Sequence, residues 1–597
     1  MNISTELNNS DTARRVITTL KGIKKRWNFI EPNFKLQEFF SKRLGISPLT
    51  AQLLINRGID NLDSAGNFIN STLNSFHDPY QMKDMDKAVQ RIMHAIKSKE
   101  KIFIYGDYDV DGITSTSLLI LFFREMNVDA SYYIPKRAGE GYGLNLNAIT
   151  RIKEQGGKLI ITVDCGITAV KEGKAIKEMG LDLIITDHHQ LSANLPEAVA
   201  ILHPGQEDCK YPFKSLAGVG IVFKLIKSLR RAFKEIGLSQ EKIPNLKKHL
   251  DLVSLGTIAD IAPLLGENHI IAKYGLKEIS KTDKAGLKAL KSIVGINGRE
   301  VTVTDVGFLI GPRINAAGRL GDADAAVRLL TTDNEDEALE IARHLDSENR
   351  KRQLIQDDIL KEVRAMIESQ CSMENDRAII LSSSNWHLGV IGIVASKVVE
   401  EYNKPTILIS VDGEYGRGSA RGIPSFHLYE SLRKCGDFLV DFGGHKYAAG
   451  LTIKSGMIDK FKEYFQKVTT EVLNTDDCIP KIDIDASIGL AELDYSLTEE
   501  MNRIGPFGPS NPPPLLCSMA VEIMGEPIVM GKNNVHIRMD VDDGSEVMEV
   551  VGFNFSYLID KIDYSSKYDI VYTPIMNNWK GNKRIQLKLV DIRKSDI

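Results

Sequence analysis

The sequence predicts a multidomain α/β protein whose core is a doubly wound parallel sheet, and three observations support this prediction. Short apolar runs alternate with segments of helical apolar periodicity from residue 82 to about residue 331, the pattern of repeated strand–helix units. Several of these apolar runs end directly in acidic residues or histidines, as ligand-bearing strands of open parallel sheets do. The chain has 597 residues, which at a prior of about 150 residues per domain gives about three or four domains.

Composition narrows the class of protein. The formal net charge of −4 excludes a uniformly basic nucleic-acid-binding protein but leaves room for a local basic groove. The six cysteines are far apart and form no C-x-x-C pair, which argues against a zinc ribbon or a disulfide framework and fits a reducing compartment. The N-terminus has no apolar signal segment and no apolar run is long enough to span a membrane. We therefore expect a soluble, cytoplasmic protein.

Residues 1–80 are expected to form a helical lead-in. Residues 36–46 and 49–59 have helical apolar spacing, and each segment reaches a glycine near its end. The basic and aromatic residues 24–27 fit either nucleic-acid contact or packing on the next domain, and the sequence does not decide between the two.

The first strand–helix unit of the predicted core carries three acids in its turn. An apolar run at residues 102–105 is followed by Asp107, Asp109 and Asp111, and helical periodicity begins at residue 113. Carboxylates this close raise one another's pKa unless cations neutralise them, and hard divalent ions such as Mg²⁺ or Mn²⁺ prefer oxygen ligands. The turn is therefore predicted to bind a divalent metal.

Two other interpretations of this acidic turn are weaker. An EF-hand calcium loop would have a bidentate glutamate at its twelfth position, but counting from Asp107 that position is Leu118. A strand rather than a helix also precedes the loop. A solvated acidic turn without chemistry is the simplest interpretation of one such motif alone, and the recurrence of the pattern argues against it.

Two later apolar runs end in similar residues, namely Asp164, Asp187, His188 and His189, and Asp260 follows an apolar stretch that is expected to be helical. Each of them alone fits a structural turn or loop. Because the carboxyl ends of parallel strands meet at one edge of a sheet, together they predict a two-metal site with ions about 3.5–4 Å apart. Such a pair turns a bridging water into hydroxide near neutral pH and clamps phosphoryl oxygens. Phosphodiester hydrolysis, which needs roughly 20 kcal/mol of transition-state stabilisation, is the predicted reaction class.

The rest of the chain predicts a connecting helix, a second α/β unit and a barrel. Residues 334–370 are highly charged and predict one long, solvent-bridging helix. Residues 376–472 combine strand-like and helical runs with two glycine-rich tracts. Residues 478–597 are mostly short strand-like runs, which predict a small barrel. This last segment has 12 Lys and Arg against 18 Asp and Glu, so we expect at most a local basic surface near residues 579–588.

Four motifs resemble, in order, those of the DHH phosphoesterase superfamily: GDYDVDG, VDCG, TDHH and GTIADIAPL. Further matches narrow the resemblance to the bacterial exonucleases of the superfamily that are specific for single-stranded DNA; they are YIPKRAGEGYGL, LAGVGIV, GPRINAAGRL, WHLGVIGIVAS and GGHKYAAG. The resemblance extends from about residue 27 to the last residue. It implies a DHH-type core, a DHHA1-type second α/β domain and an OB-fold-like barrel.

The resemblance also implies domain boundaries. The expected domains are a helical lead-in (1–80), a DHH catalytic domain (81–331), a connecting helix (332–372), a DHHA1 substrate-binding domain (373–475) and an OB-fold-like nucleic-acid-binding domain (476–597).

Roles for individual residues follow from the same resemblance. The implied ligands of two Mn²⁺ or Mg²⁺ ions are Asp107, Asp109, Asp111, Asp164, His188 and Asp260. The implied catalytic residues are Asp107, Asp164, His188 and His189, with Asp164 bridging the ions and His189 at the scissile phosphate. The implied substrate-binding residues are Arg137, Arg313, Asn315, Ser419, Arg421, Gly444 and His445. Around Arg421 the chain reads Ser419-Ala420-Arg421-Gly422, whereas the usual stretch of the family is closer to Ser-Gly-Arg-Ser.

The implied function is a metal-dependent 5′→3′ exonuclease that hydrolyses single-stranded DNA to 5′-mononucleotides in DNA repair and recombination. The implied partners are single-stranded DNA, a single-strand-binding protein and a helicase. Two alternatives stay open: a hydrolase of short oligonucleotides or cyclic dinucleotides, and a non-catalytic scaffold. The lead-in helices and the barrel argue against the first, and the complete set of motif acids argues against the second.

Overall fold

The computed structural model describes residues 16–18, 24–136, 140–320, 323–579 and 582–596. The strands are β1 (Val16–Thr18), β2 (Lys24–Phe29), β3 (Lys101–Gly106), β4 (Ala130–Tyr133), β5 (Gly157–Val163), β6 (Asp182–Thr186), β7 (Ala200–Leu202), β8 (Ile379–Ser383), β9 (Thr406–Asp412), β10 (Tyr415–Arg421), β11 (Leu439–Gly444), β12 (Ala448–Lys454), β13 (Lys481–Ile484), β14 (Ala486–Ser487), β15 (Leu516–Met530), β16 (His536–Asp542), β17 (Val547–Gly552), β18 (Tyr568–Trp579) and β19 (Asn582–Lys594). The helices are α1 (Phe34–Leu44), α2 (Pro48–Asn56), α3 (Leu62–Ile69), α4 (Met85–Ser98), α5 (Val110–Glu125), α6 (Leu146–Glu154), α7 (Val170–Glu178), α8 (Gly218–Glu235), α9 (Leu250–Ala259), α10 (Gly266–Lys281), α11 (Ala285–Ile293), α12 (Val303–Asp305), α13 (Gly311–Leu320), α14 (Ala323–Thr331), α15 (Glu335–Gln370), α16 (Leu388–Tyr402), α17 (Leu428–Lys434), α18 (Ile458–Val472) and α19 (Tyr495–Asn502). A π-helical turn, Val306–Ile310, joins α12 to α13.

The chain divides into two compact units. The first unit comprises Met1–Leu62, Gln353–Arg503 and Pro513–Ile597, and the second comprises Asp63–Arg352 and Ile504–Pro512. The lead-in expected over residues 1–80 is therefore shared between the two units, because α1 and α2 belong to the first and most of α3 belongs to the second.

A five-stranded parallel sheet with the order β4-β3-β5-β6-β7 forms the centre of the second unit. Ile102 and Ile104 of β3 pack in an apolar core with α4, α5 and α8. Phe103 and Tyr105 point to the other face and pack with α6 and α7. Helices thus cover both faces, and the prediction of a doubly wound parallel sheet is confirmed.

The alternation of strands and helices ends at β7, earlier than the sequence predicts. From α8 to α14 the described part of the chain forms helices but no strand. The physical reason is that α5 is buried on nearly all sides, so its surface opposite the sheet needs a second helical layer. That layer has an apolar core of its own, which includes Ile113, Leu255 and Ile314.

The connecting helix and the second α/β domain are present. α15 is a single helix of 36 residues, as predicted. The prediction that it bridges solvent is wrong, because Ala338 and Leu345 belong to an apolar core of the second unit and Val363 and Ile367 to one of the first. In the first unit, β8 and β9 pair in parallel within a sheet of the order β11-β12-β10-β9-β8, and α16 packs against this sheet. The two glycine-rich tracts form the antiparallel strands β10, β11 and β12 rather than turns. Close packing explains one of these glycines, since a Cβ at Gly418 would lie 2.8 Å from the side chain of Leu451.

A closed barrel forms the C-terminal part of the first unit. β15, β16, β17, β19 and β18 pair in this order, and β18 also pairs with β15. Ile537, Met539 and Val541 of β16 are buried while the residues between them are exposed, as expected for a strand with one face toward a core. The predicted OB-like barrel is confirmed.

Residues 24–27, which the sequence analysis placed in a helical lead-in, lie in β2. This strand pairs in parallel with β13, more than 450 residues later in the chain. Trp27 is buried, its indole N–H donates to Asp591 at 2.9 Å, and the guanidinium of Arg593 lies 4.3 Å from its ring. Local periodicity cannot show a short strand whose partner is so distant in sequence, and the burial of Trp27 excludes it as a nucleic-acid contact.

Two predictions from composition are consistent with the structure. All six cysteines are free thiols. Among the described helices, none combines the length and apolarity that crossing a membrane requires.

Candidate metal centre

The predicted metal ligands of the second unit lie at the carboxyl edge of its parallel sheet. Asp107 and Asp109 follow β3, Asp164 follows β5, and His188 follows β6. Asp260 ends α9, which packs against α5. The topology therefore brings together side chains that are up to 153 residues apart in the sequence.

Asp109 and Asp111 are fixed by the ends of helices. Oδ1 of Asp109 caps α5 by accepting the N–H groups of Asp111 and Gly112, at 3.0 and 3.1 Å. The Asp111 carboxylate accepts the first N–H groups of α8, from Gly218 at 2.6 Å and Val219 at 2.8 Å. Burial and the charge of Asp109 nevertheless raise the pKa of Asp111 to about 7, since two amides do not replace its hydration.

Asp164 is held in a strained backbone conformation. Its φ of 60° lies in the left-handed region, where residues other than glycine are uncommon, and its side chain is buried. Burial and the charges of the neighbouring acids, Asp111 first among them, raise the pKa of Asp164 well above its ordinary value. Backbone strain and an uncompensated buried carboxylate at one residue are typical of a functional site.

His188 is the point on which the acids converge. Its Nε2 lies 3.1 Å from Asp164, 3.7 Å from Asp111 and 3.8 Å from Asp260, measured to the nearest carboxylate oxygen. Burial and the charge of His189 lower the pKa of His188 to about 4, so the imidazole is neutral and carries a lone pair. Nε2 of His188 and Oδ1 of Asp164 are buried without a hydrogen bond.

These atoms fit divalent metal ions. Three overlapping groups have ligand atoms within 4.8 Å of one another: Asp107, Asp109 and Asp164; Asp111, His188 and Asp260; and Asp164, His188 and His189. Asp164 and His188 each belong to two of the groups. Carboxylate oxygens and a neutral imidazole suit Mn²⁺ and Mg²⁺, and a divalent cation would satisfy the buried ligand atoms that have no hydrogen bond.

His189 belongs to a hydrogen-bonded group beside the acids. Its Nδ1 lies 2.7 Å from Oδ1 of Asp187 and 3.2 Å from the hydroxyl of Tyr142. Burial alone would lower the pKa of His189, but the hydrogen bond and charge of Asp187 raise it to about 9. Asp187 also accepts the N–H groups of Ile167, His188 and His189. Asp187 therefore orients both histidines without being one of the grouped ligands.

A cavity of about 240 Å³ opens beside the acids. It is lined by Asp107, Tyr108, Asp109, Tyr142, His189, Asn315, Gly318 and Arg319. Tyr142 and Arg319 are not among the residues predicted from the sequence. The spacing of Arg319, four residues after Asn315 in a helix, was the signal that would have placed both on one face.

The predicted substrate-binding residues of the second unit have different surroundings. Asn315 lines the cavity, and its Oδ1 accepts the N–H of Val110 at 3.2 Å. The Arg313 guanidinium is bound to Asp346 and to the carbonyl of Leu309, and it is not among the residues that line the cavity. Arg137 falls outside the residues that the structure describes.

The other predicted substrate-binding residues are in the first unit. Ser419 and Arg421 lie on one face of β10, where Arg421 donates to the hydroxyls of Ser396 and Ser419 at 3.1 Å. Between them, Ala420 points into the apolar core, which accounts for a small residue there. Gly444 ends β11 with a φ of 145°, and the N–H of His445 donates to the carbonyl of Ala448.

Comparison with known proteins identifies the family. Three family models match, described as the DHH family N-terminal domain (101–257), the DHHA1 domain (375–471) and the RecJ OB domain (484–591). The single-stranded-DNA-specific exonuclease RecJ of Bacillus subtilis is 40% identical over 96% of this chain and 71% of its own length. RecJ of Escherichia coli is 31% identical over 92% of this chain and 96% of its own length.

Solved structures agree with this match. The crystal structure of Thermus thermophilus RecJ in complex with Mn²⁺ superposes with a TM-score of 0.80 and 27% identity, over 96% of this chain and 80% of that chain. The corresponding complex with Mg²⁺ gives a TM-score of 0.75 and 26% identity, over 96% and 79% of the two chains. This chain belongs to the RecJ family of single-stranded-DNA-specific exonucleases, within the DHH superfamily.

Proposed function

We propose that this chain is a metal-dependent 5′→3′ exonuclease that hydrolyses single-stranded DNA to 5′-mononucleotides with two Mn²⁺ or Mg²⁺ ions. The observation that carries the proposal is the convergence of His188 on Asp111, Asp164 and Asp260, where Nε2 of His188 and Oδ1 of Asp164 are buried without a hydrogen bond. The RecJ relatives named as exonucleases and their Mn²⁺ and Mg²⁺ complexes support the choice of reaction and metal.

Asp164 is the proposed bridging ligand, and Asp107, Asp109, Asp111, His188 and Asp260 complete the ligand set. Bound Mn²⁺ or Mg²⁺ supplies positive charge to phosphoryl oxygens and a nucleophile at neutral pH. The contribution of the chain is to hold the carboxylates close despite their repulsion. It does so through the N-terminal amides of α8 at Asp111 and the cap of α5 at Asp109.

His189 is the proposed contact to the scissile phosphate. Because Asp187 occupies Nδ1 and raises the pKa of the ring to about 9, His189 is a cation at neutral pH. Its Nε2–H is then a charge-assisted donor to a phosphoryl oxygen in the cavity that His189 lines. Tyr142 restricts the rotation of the ring, since its hydroxyl lies 3.2 Å from Nδ1.

Arg319 and Asn315 are the proposed contacts to the strand near the acids. Both line the cavity, and a guanidinium can bind phosphate through two parallel hydrogen bonds. Arg313 is assigned a structural role instead, because Asp346 and Leu309 occupy its guanidinium. Arg137, Ser419, Arg421, Gly444 and His445 stay proposed substrate contacts on the family resemblance.

One assay tests reaction, polarity and substrate together. Single strands labelled at the 5′ or 3′ end, duplexes and dinucleotides are incubated with purified protein and Mn²⁺, Mg²⁺ or EDTA. We expect immediate release of labelled mononucleotide from 5′-labelled single strands, progressive shortening of 3′-labelled ones and no reaction in EDTA. Turnover of dinucleotides with long strands untouched, or strand binding without cleavage, would contradict the proposal.

A role in DNA repair and recombination, with a single-strand-binding protein and a helicase as partners, completes the proposal. Hydrolysis of coated or partly unwound DNA in the presence of each purified partner tests it. Stimulation above the rate on bare strands is expected, and an unchanged or lower rate with both partners would contradict the partner assignment.

A further inference from the structure

A second cavity of the second unit lies outside the metal centre and is strongly basic. Its volume is about 410 Å³, and we call it the α8 cavity. The lining residues are Phe76, Asp78, Pro79, Lys227, Arg230, Arg231 and Lys234. Four of these seven residues are cations from one helix and a single one is an acid, so the cavity attracts anions.

Most of these cations lack a carboxylate partner. Arg231 pairs with Asp78 at 3.9 Å and with Glu235 at 3.1 Å. For Lys227, Arg230 and Lys234, no carboxylate of the described residues comes within ion-pair distance. The Nε of Arg230 donates to the carbonyl of Pro244 at 3.1 Å, which positions the guanidinium without neutralising it.

Lys227 is the most informative of the three because it is half-buried. Its Nζ lies 5.4 Å from the centre of the Phe76 ring, and burial lowers its pKa. One turn earlier in the same helix, the fully buried Lys224 has a carboxylate partner, Glu267, at 2.6 Å. The fold thus pairs the lysine that no ligand can reach, whereas no carboxylate of the described residues lies within ion-pair distance of Lys227. The charges of Glu267 and Asp78 act on Lys227 only from farther away.

The cations follow one face of α8 away from the metal centre. Lys227, Arg230 or Arg231, and Lys234 are three to four residues apart, so they are neighbours along the helix, each about 5–6 Å from the next. α8 begins at Gly218, which donates to Asp111. At 1.5 Å per residue, Lys227 lies roughly 14 Å and Lys234 roughly 24 Å along the axis from that end.

We propose that the α8 cavity binds the phosphodiester backbone of a nucleic-acid strand that is also engaged at the metal centre. The choice of occupant rests on the proposed function, because carboxylates of an acidic protein would match the same cations. A row of cations at regular spacing matches the repeated charge of a nucleic-acid strand, and Arg230 and Arg231 offer the planar donors that phosphate accepts in pairs. This site is a positioning surface for the distal part of long strands.

The test measures strand binding by a triple variant, a double variant and a matched triple control. Lys227→Gln/Arg230→Gln/Lys234→Gln removes the three charges that have no carboxylate within ion-pair distance. Arg230→Gln/Lys234→Gln spares the half-buried lysine in case the triple variant misfolds. The matched control, Lys171→Gln/Lys174→Gln/Lys177→Gln, removes three charges from α7, which covers the other face of the sheet. Affinity for labelled short and long oligothymidylate is measured in EDTA over a range of salt concentrations.

We expect the triple variant to bind long strands more weakly and to lower the slope of log K against log salt by about 2, since each single-strand phosphate contact contributes about 0.7. Short strands that reach only the metal centre, and the α7 control, should behave like the wild type. Long-strand affinity and salt slope equal to those of the control would overturn the proposal. Polyglutamate serves as a second probe, which stands for an acidic protein. A triple variant that binds long strands normally but no longer binds polyglutamate would also overturn the proposal, because the occupant of the α8 cavity would then be an acidic protein.

Failure of the α8-cavity proposal can be distinguished from failure of the exonuclease proposal. Hydrolysis of short strands in Mn²⁺ reports on the metal centre alone, and it should not change in the triple variant. A wild-type protein that binds long strands through the α8 cavity but cleaves nothing would refute the exonuclease proposal and leave the binding site standing.

Discussion

Replacing Gly218 by alanine should inactivate the metal centre without unfolding the protein. Gly218 is the first residue of α8, and its N–H donates to Oδ2 of Asp111 at 2.6 Å. A Cβ at this position would lie 2.9 Å from both Cβ and Oδ1 of Asp164, and 3.1 Å from Oδ2 of Asp111. The added methyl group therefore meets two proposed ligands at once.

The size of the effect follows from these distances. Non-bonded carbon contacts are comfortable at about 3.5–4.0 Å, so Asp164 or the start of α8 must move by roughly 0.6–1 Å. A displacement of about 1 Å in an active site costs on the order of 100-fold in rate. Alanine is up to about 1 kcal/mol better than glycine inside a helix, so the helix itself should not be destabilised. We expect a loss of about 100-fold in kcat/KM and weaker Mn²⁺ binding, with little change in unfolding temperature.

Gly220→Ala is the matched control. It lies in the same helix turn, and its added Cβ would meet mainly the flexible side chain of Leu216, at 3.1 Å. Strand hydrolysis, calorimetric titration with Mn²⁺ and thermal unfolding are measured for both variants. Gly218→Ala with activity and Mn²⁺ affinity within a few-fold of Gly220→Ala would refute the geometry argued for the acids.

Further predictions test the metal centre and other parts of the second unit. Asp164→Asn should abolish hydrolysis and also the stabilisation that Mn²⁺ gives the wild type, about 2.7 kcal/mol in free energy of unfolding when Mn²⁺ is at 100 times its Kd. More than a few per cent of wild-type kcat would contradict the bridging role. Arg319→Lys should lower kcat/KM by about 10-fold or more while Arg313→Lys mainly lowers the unfolding temperature, and the reverse ranking in paired assays would exchange their roles. Lys224→Met should destabilise the unit by about 3–5 kcal/mol in urea unfolding because the buried Glu267 loses the cation that pairs with it and keeps only the neutral donors His77 N–H and Tyr211 O–H; Lys224→Met/Glu267→Gln should recover most of this loss. Burial lowers the pKa of Lys224 from 10.5 to about 8, so between these pH values the folded protein binds fewer protons than the unfolded chain. The free energy of unfolding of the wild type should therefore rise by about 3 kcal/mol from pH 8 to 10.5 relative to the double variant. Parallel curves of unfolding free energy against pH for the two proteins would contradict this.

The sequence was sufficient to predict the location of the acids because the chemistry sits at strand ends. An apolar run that stops at an acid marks the carboxyl end of a strand, and a parallel sheet brings such ends to one edge whatever lies between them. Asp164 and His188 were found in this way, and their ligand atoms lie 3.1 Å apart. The length of α15 was equally predictable, because a long periodic segment carries a strong local signal. The barrel strands β15, β18 and β19 have 15, 12 and 13 residues and are longer than the short runs that the sequence predicts.

Other features depend on contacts that no local pattern encodes. β2 exists because β13 supplies its partner, and residues 24–27 alone show neither strand nor helix. Arg313 and Arg319 look equivalent in the sequence. In the structure the guanidinium of Arg313 is bound to Asp346, whereas Arg319 lines the cavity beside the acids. The all-helical stretch after β7 follows from the complete burial of α5, which depends on what surrounds that helix.

Asp187 has a role that the sequence motif alone does not reveal. In the sequence it precedes two histidines and is one of the metal-competent side chains at the strand ends. In the structure its oxygens accept three backbone N–H groups and the Nδ1–H of His189, and Asp187 is not among the grouped ligands. These hydrogen bonds and the charge of His189 keep the pKa of Asp187 below its ordinary value despite burial, whereas the pKa values of Asp164 and Asp260 are raised by burial and by acid neighbours. Asp187, whose charge is balanced by protein hydrogen bonds and by His189, orients the histidines. Asp164 and Asp260, whose charges the protein does not balance, are the acids that need a cation.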